Sequence, residues 1–312
     1  MSTGQQNAAS GETVDVVARL VPEDGTELRE GYAQVGDVRL HYVEAGDGPM
    51  IVLLHGFPEF WYGWRLQIKP LVAAGFRVVV PDTRGINLSS RPAGYEAYSA
   101  DKLAGDIRGL IQERGAESAL VVGHDWGGTI AWTMAMKYPE VIDRLAILDA
   151  AHPRKFAEGL HHPSQVSKLW YVFFFALPDV PERVVRREHF QFLQNFMRDA
   201  QPPYTSQEMD HYIEAWSHPG AAAAMINYYR CSVRKQSKDP IVPISAPTLL
   251  IWGQEDRYLG PGVREPDRTD VPGLDRVEQL PGASHWVHHD RADRVNQLLI
   301  EFFAPAQAAT EG

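Results

Sequence analysis

The sequence predicts an α/β fold: a mostly parallel central sheet with helices on both faces and a helical cap inserted between two parts of the core. Three observations lead there. Apolar runs of strand length recur along the chain and alternate with helical patterns, which is the signature of a parallel sheet with crossover helices. An aromatic-rich stretch from about Ala151 to Asp239 interrupts that series. And 312 residues, 44% hydrophobic and 22% charged, suffice for one large core that carries a lid.

Residues 1–30 read as a mobile tail and lead-in. Met1–Glu12 has neither a basic region nor an apolar segment, so it is no secretory signal, and a cytoplasmic location is expected. The first part of the core is expected over 31–150. Its first strand run, Met50-Ile51-Val52-Leu53-Leu54, ends in His55-Gly56-Phe57-Pro58-Glu59-Phe60-Trp61-Tyr62-Gly63-Trp64-Arg65. Arg77–Val80 is the next and leads into Asp82-Thr83-Arg84-Gly85-Ile86-Asn87-Leu88-Ser89-Ser90-Arg91-Pro92. Ala119–Val122 reads as a third strand and Thr129–Lys137 as the helix after it, while Arg144–Leu148 forms a fourth strand that runs into Asp149-Ala150. The cap is expected over 151–239, its aromatics packing it onto the core and lining an apolar cavity. Over 240–304 the chain returns to the core: the strand Pro247–Gly253 runs into Gln254-Glu255-Asp256, and Pro281-Gly282-Ala283-Ser284-His285-Trp286 follows. Residues 305–312 read as a frayed tail.

Chemistry concentrates between the third strand and its helix, in Gly123-His124-Asp125-Trp126-Gly127-Gly128. A sharp strand-to-helix turn lifts its central side chain above the end of a sheet, and the glycines permit the close backbone approach such a turn requires. Here that side chain is a carboxylate. A carboxylate is a poor nucleophile toward amides but competent toward a strained or activated sp³ carbon, from which it displaces oxygen or halide to become an ester. An aspartate before a helix can also serve simply as an N-cap.

HGFPEFWYGWR and GHDWGG together, with an acid and then a histidine downstream, resemble the α/β-hydrolase superfamily and, within it, the epoxide hydrolases; the similarity covers roughly Glu30 to Ala304. The resemblance implies that Asp125 attacks an epoxide carbon and becomes a hydroxyalkyl ester. His285 then activates water to hydrolyse it, and Asp256 holds the imidazole tautomer. The backbone N–H groups of Phe57 and Trp126 are implied as the oxyanion hole. Leu169-Trp170-Tyr171-Val172-Phe173-Phe174-Phe175-Ala176-Leu177-Pro178-Asp179 is similar to the family's lid run and puts Tyr171 at a proton-donor position. Asn227-Tyr228-Tyr229-Arg230 supplies the second donor, Tyr229 being preferred to Tyr228. The lid run departs from the family at Ala176 and Asp179, which stand for Gln and Gly, and the loop after Arg77–Val80 departs at Ile86 and Asn87, which stand for Tyr and Gly. Asn is the non-glycine residue best suited to a left-handed conformation, so a structural role is expected there.

Asp149 is a rival acid, since some relatives carry the carboxylate after the preceding core strand; Asp256 is favoured and Glu255 is expected to point elsewhere. His55 is expected to orient backbone and His124 to pack against neighbouring loops. His161-His162 and His288-His289 lack an acidic or cysteine partner at ligand spacing and are expected as surface or loop residues, with no metal site. Neither a nucleotide-binding glycine fingerprint nor an internal repeat is present, and the resemblance implies a cofactor-free enzyme. The net charge of −10 argues against nucleic acid or an anionic membrane as partner, no run is long and apolar enough to span a bilayer, and the one cysteine, Cys231, excludes an internal disulfide. The expected partner is a small apolar epoxide. Two alternatives stand beside that reading. A haloalkane or haloacetate dehalogenase would share Asp125, Asp256 and His285, but a polar Asn or Glu tends to stand where Phe57 is, and in the fluoroacetate type an arginine where Trp126 is. A non-catalytic ligand-binding protein of the same fold is the other.

Overall fold

The computed structural model describes residues 27–235 and 239–304. The expected tails, residues 1–26 of the first and all of 305–312, lie outside the described residues. Eight strands form one sheet in the order β1-β2-β4-β3-β5-β6-β7-β8. They are β1 (Arg29–Val35), β2 (Val38–Ala45), β3 (Met50–Leu54), β4 (Arg77–Pro81), β5 (Ala119–His124), β6 (Ile142–Leu148), β7 (Thr248–Gly253) and β8 (Leu274–Leu280). The first pair and β2/β4 are antiparallel, and every pairing from β4 through β8 is parallel. The apolar runs explain the interior position of β3, β5 and β7: every residue in them is buried, as strands covered on both faces require.

Helices α1 (Arg65–Ala73), α2 (Ala100–Glu113) and α3 (Trp126–Lys137) follow β3, β4 and β5. Helix α3 starts three residues earlier than its apolar pattern indicates, because Trp126-Gly127-Gly128 winds directly out of the turn. Between β6 and β7 the described chain is helical: α4 (Pro153–Gly159), α5 (Pro163–Val166), α6 (Trp170–Phe175), α7 (Val180–Val185), α8 (Gln191–Met197), α9 (Ser206–Ser217) and α10 (Ala221–Arg234). Thr205 and Glu208 close a capping box that fixes the start of α9. Two short contacts join this segment to the loops of the sheet. Trp216 Nε1 donates to Pro58 O at 2.6 Å, and buried Arg65 pairs with Glu208. After β8 come α11 (Val287–Asp290) and α12 (Ala292–Phe303).

At the two positions where the resemblance implies glycine, Asn87 and Asp179, the backbone is left-handed. Asn87 has φ +44° and its amide donates to Asp82 Oδ2 at 2.7 Å, while Asp179 adopts φ +58° immediately before α7. Both are residue types that tolerate the left-handed region.

Candidate active site

Strand β5 ends where the chain must reverse into α3, and the turn forces Asp125 to φ +49° and ψ −115°. A strained conformation at a non-glycine residue persists only where the surroundings fix it. Here Gly127 does so: a Cβ on it would lie 2.1 Å from Leu54 O, so only glycine lets the elbow sit against the end of β3. The Asp125 side chain caps no helical N–H. Instead Phe57 N–H, from the loop after β3, donates to its Oδ1 at 2.8 Å. Gly56 makes that approach possible, since a Cβ there would meet Asp125 Cβ at 2.6 Å.

Opposite stands His285. Its Nε2 is 3.6 Å from Asp125 Oδ2, and its Nδ1 donates to Asp256 Oδ2 at 2.9 Å. Asp256 is itself held by the turn after β7, where its Oδ1 accepts from Tyr258 N at 2.7 Å and Leu259 N at 3.0 Å. Burial opposes charge on both groups, but the Asp256 carboxylate and Asp125 outweigh it and raise the imidazole pKa well above its ordinary value. Reciprocally, burial of Asp256 is outweighed by the His285 charge and these hydrogen bonds, and its pKa is lowered.

The rival acid occupies a different place. Asp149, at φ +44° beyond β6, accepts from Gly253 N at 2.8 Å through Oδ1, and its pKa is pushed well above the usual carboxylate range by burial and then by the Asp256 charge. It is Asp256 that the imidazole contacts. Glu255 is exposed, so it does point elsewhere.

Aromatic rings enclose the remaining side of the Asp125 carboxylate. Tyr229 lies 5.0 Å from Phe57 and 5.3 Å from Trp126 between ring centroids, Tyr171 lies 5.7 Å from Tyr229, and Tyr258 bridges Tyr171 at 5.7 Å to His285 at 5.0 Å. Burial, and next the Asp125 charge, raise the pKa of both Tyr171 and Tyr229 well above the usual tyrosine value, so both hydroxyls stay protonated. Tyr228 is committed elsewhere: its hydroxyl lies 2.7 Å from Arg84 O and 2.9 Å from Thr83 Oγ1. The adjacent cleft is lined by Phe57, Ile86, Trp126, Met225 and Tyr228 among others.

Sequence reasoning missed a cluster behind Asp125. Glu59 Oε2 accepts from His124 Nδ1 at 2.9 Å and its Oε1 from His288 Nε2 at 3.1 Å, while His124 Nε2 donates to His285 O at 2.8 Å. Burial of Glu59 is outweighed by the two histidines, and its pKa falls well below the ordinary value. One carboxylate thus joins the loop after β3, the end of β5 beside Asp125, and α11, which follows His285. The expectation that His288 and His289 lie at the surface is corrected: both are buried, because α11 packs against α1 and β7, where Gln67 Nε2 donates to His288 O at 2.8 Å and His289 Nδ1 meets Arg65 at 3.1 Å. The signal was a glutamate inside the otherwise apolar Phe57-Pro58-Glu59-Phe60-Trp61. His161 and His162 are exposed. His55 does orient backbone, with Nδ1 donating to Gly56 O at 3.0 Å and Nε2 accepting from Thr83 N at 3.1 Å.

Comparison with known proteins agrees with this architecture. The α/β-hydrolase fold family matches residues 49–292. The AB hydrolase superfamily protein YfhM of Bacillus subtilis is 41% identical over 89% of this chain and 98% of its own length, and epoxide hydrolase 4 of Mus musculus is 35% identical over 87% and 78%. Among solved structures, a Bacillus megaterium epoxide hydrolase in complex with an inhibitor is 32% identical, covers 87% of this chain and 99% of its own, and superposes with a TM-score of 0.80. Epoxide hydrolase A of Mycobacterium thermoresistibile is 31% identical over 89% and 98%, with a TM-score of 0.78. The chain belongs to the α/β-hydrolase fold family and, within it, to the epoxide hydrolases.

Proposed function

We propose that the protein converts a small apolar epoxide and water into a vicinal diol through an ester on Asp125. The observation that carries this reading is the position of His285, with Nε2 3.6 Å from Asp125 and Nδ1 2.9 Å from Asp256, while Phe57 N–H reaches the other Asp125 oxygen at 2.8 Å. In the resting site the imidazolium lies between two carboxylates. Attack by Asp125 on an epoxide carbon breaks the ring C–O bond, and the departing oxygen takes a proton from Tyr171 or Tyr229, which the imidazolium replaces.

Esterification removes the Asp125 charge, one of the two that hold the proton on His285, so the same step that forms the intermediate leaves a neutral imidazole to act as base. His285 takes a proton from water as the water oxygen bonds to Asp125 Cγ. The tetrahedral oxyanion is held by the Phe57 and Trp126 N–H groups, and its collapse releases the second hydroxyl of the diol and restores carboxylate and imidazolium. The aromatic enclosure favours an apolar substrate and keeps stray water from the ester.

A paired assay of the purified protein against styrene oxide and a bromoalkane, following diol and bromide separately, tests the proposal. Diol without bromide is expected. Bromide without diol would move the chemistry to dehalogenation, and neither product would leave the proposal unsupported for these substrate classes.

A further inference from the structure

Two carboxyl groups stand behind His285, and the reaction as derived uses one. Asp149 and Asp256 leave the ends of adjacent parallel strands, β6 and β7, and both are buried. One oxygen of each lies within 4.8 Å of the other and of a His285 ring nitrogen. Asp149 Oδ1 is engaged by Gly253 N–H at 2.8 Å, but Oδ2 is buried with no hydrogen-bond partner. A buried carboxyl oxygen left without a partner beside a second carboxylate is costly unless the group keeps its proton or acquires a cation to face.

Resting on the proposed function, we propose that Asp149 is an auxiliary acid of the site, whose carboxyl supports the His285 imidazolium when Asp256 cannot. The charged groups that face Asp149 are Asp256, His285 and, from the β7–β8 connection, Arg264. While Asp256 is charged, Asp149 holds its proton, because two adjacent buried carboxyls share one negative charge. When Asp256 is neutralised, the repulsion that keeps Asp149 protonated is gone, and His285 and Arg264 both favour its ionised form. Asp149 then releases its proton to solvent, and its charge restores the preference for a proton on His285 Nδ1 that leaves Nε2 free to deprotonate water.

The test is single-turnover hydrolysis of the Asp125 ester in Asp256→Asn and in Asp256→Asn/Asp149→Asn, each across pH. Asparagine at 149 keeps an acceptor for Gly253 N–H and is compatible with a left-handed backbone, and circular dichroism confirms folding. The expected result is residual hydrolysis in Asp256→Asn that rises with pH as one group ionises, and its loss by about tenfold or more, together with that pH limb, in the double variant. Equal rates and equal profiles in the two variants would overturn the auxiliary role. If the double variant misfolds, the profile of Asp256→Asn decides by itself: a flat profile overturns the proposal. Absence of an ester in the otherwise unaltered chain would instead overturn the proposed function, so the two failures are distinguishable.

Discussion

Replacing Glu59 by glutamine removes one charge from the point where the loop after β3, the end of β5 and α11 meet, and changes almost nothing in volume. The carboxylate is fully buried and accepts from His124 at 2.9 Å and His288 at 3.1 Å. Glutamine accepts through one oxygen and turns an amide N–H₂ toward the other histidine. His124 sits between Glu59 at Nδ1 and His285 O at Nε2, both of which can only accept. Burial lowers the His288 pKa to about 4, so it meets Glu59 as a neutral donor, and leaving such a buried polar group without its acceptor costs about 1–3 kcal/mol. For a chain of 312 residues the unfolding entropy is roughly 0.6 kcal/mol per kelvin, so a fall in Tm of about 2–5 °C is expected. Differential scanning calorimetry at fixed scan rate measures it. A Tm within about 1 °C of the unaltered protein would refute the reasoning, since it would mean that the carboxylate does not offset its own burial.

Stability is expected to fall in alkaline solution because of a buried histidine outside the Asp125–His285–Asp256 group. His41, buried between Asp82 at 2.6 Å and Glu30 at 3.1 Å, has its pKa raised to about 9; burial alone would lower it, and the two carboxylates prevail. A raised folded-state value contributes stability that is complete below the unfolded pKa near 6.5 and is lost as pH rises through about 9. Denaturant titrations should show a loss on the order of 3 kcal/mol across that window, and His41→Gln should flatten it. Phenylalanine at both Tyr171 and Tyr229 is expected to slow ring opening by about 10²-fold or more while leaving the Asp125–His285–Asp256 geometry intact, as burst kinetics would show; unchanged turnover would remove both tyrosines from the chemistry.

Much of the site was legible because it is local. The turn that carries Asp125 is written in six consecutive residues, and the Phe57 N–H follows directly from the His55-Gly56-Phe57 motif. The choice between Asp256 and Asp149 was not local: both end strands beside His285, and the ring's contact with Asp256 depends on how the turn after β7 is held by Tyr258 and Leu259 N–H. The Tyr228 and Tyr229 alternatives separate because neighbours on a helix point about 100° apart, one meeting Arg84 O and the other Phe57. The Glu59–His124–His288 cluster was illegible for the opposite reason. Its members come from a loop, a strand end and a helix up to 229 residues apart, and nothing in the spacing of His288 and His289 indicates that α11 buries them.

The proposed ester on Asp125 is exposed most directly by His285→Gln, because the substitution removes the proposed base for hydrolysis and leaves the proposed nucleophile in place. Intact-protein mass spectrometry after incubation with styrene oxide should show the mass of one epoxide added, and peptide mapping should locate it on Asp125. A variant that opens the epoxide yet never carries its mass, or carries it at another residue, would contradict the mechanism.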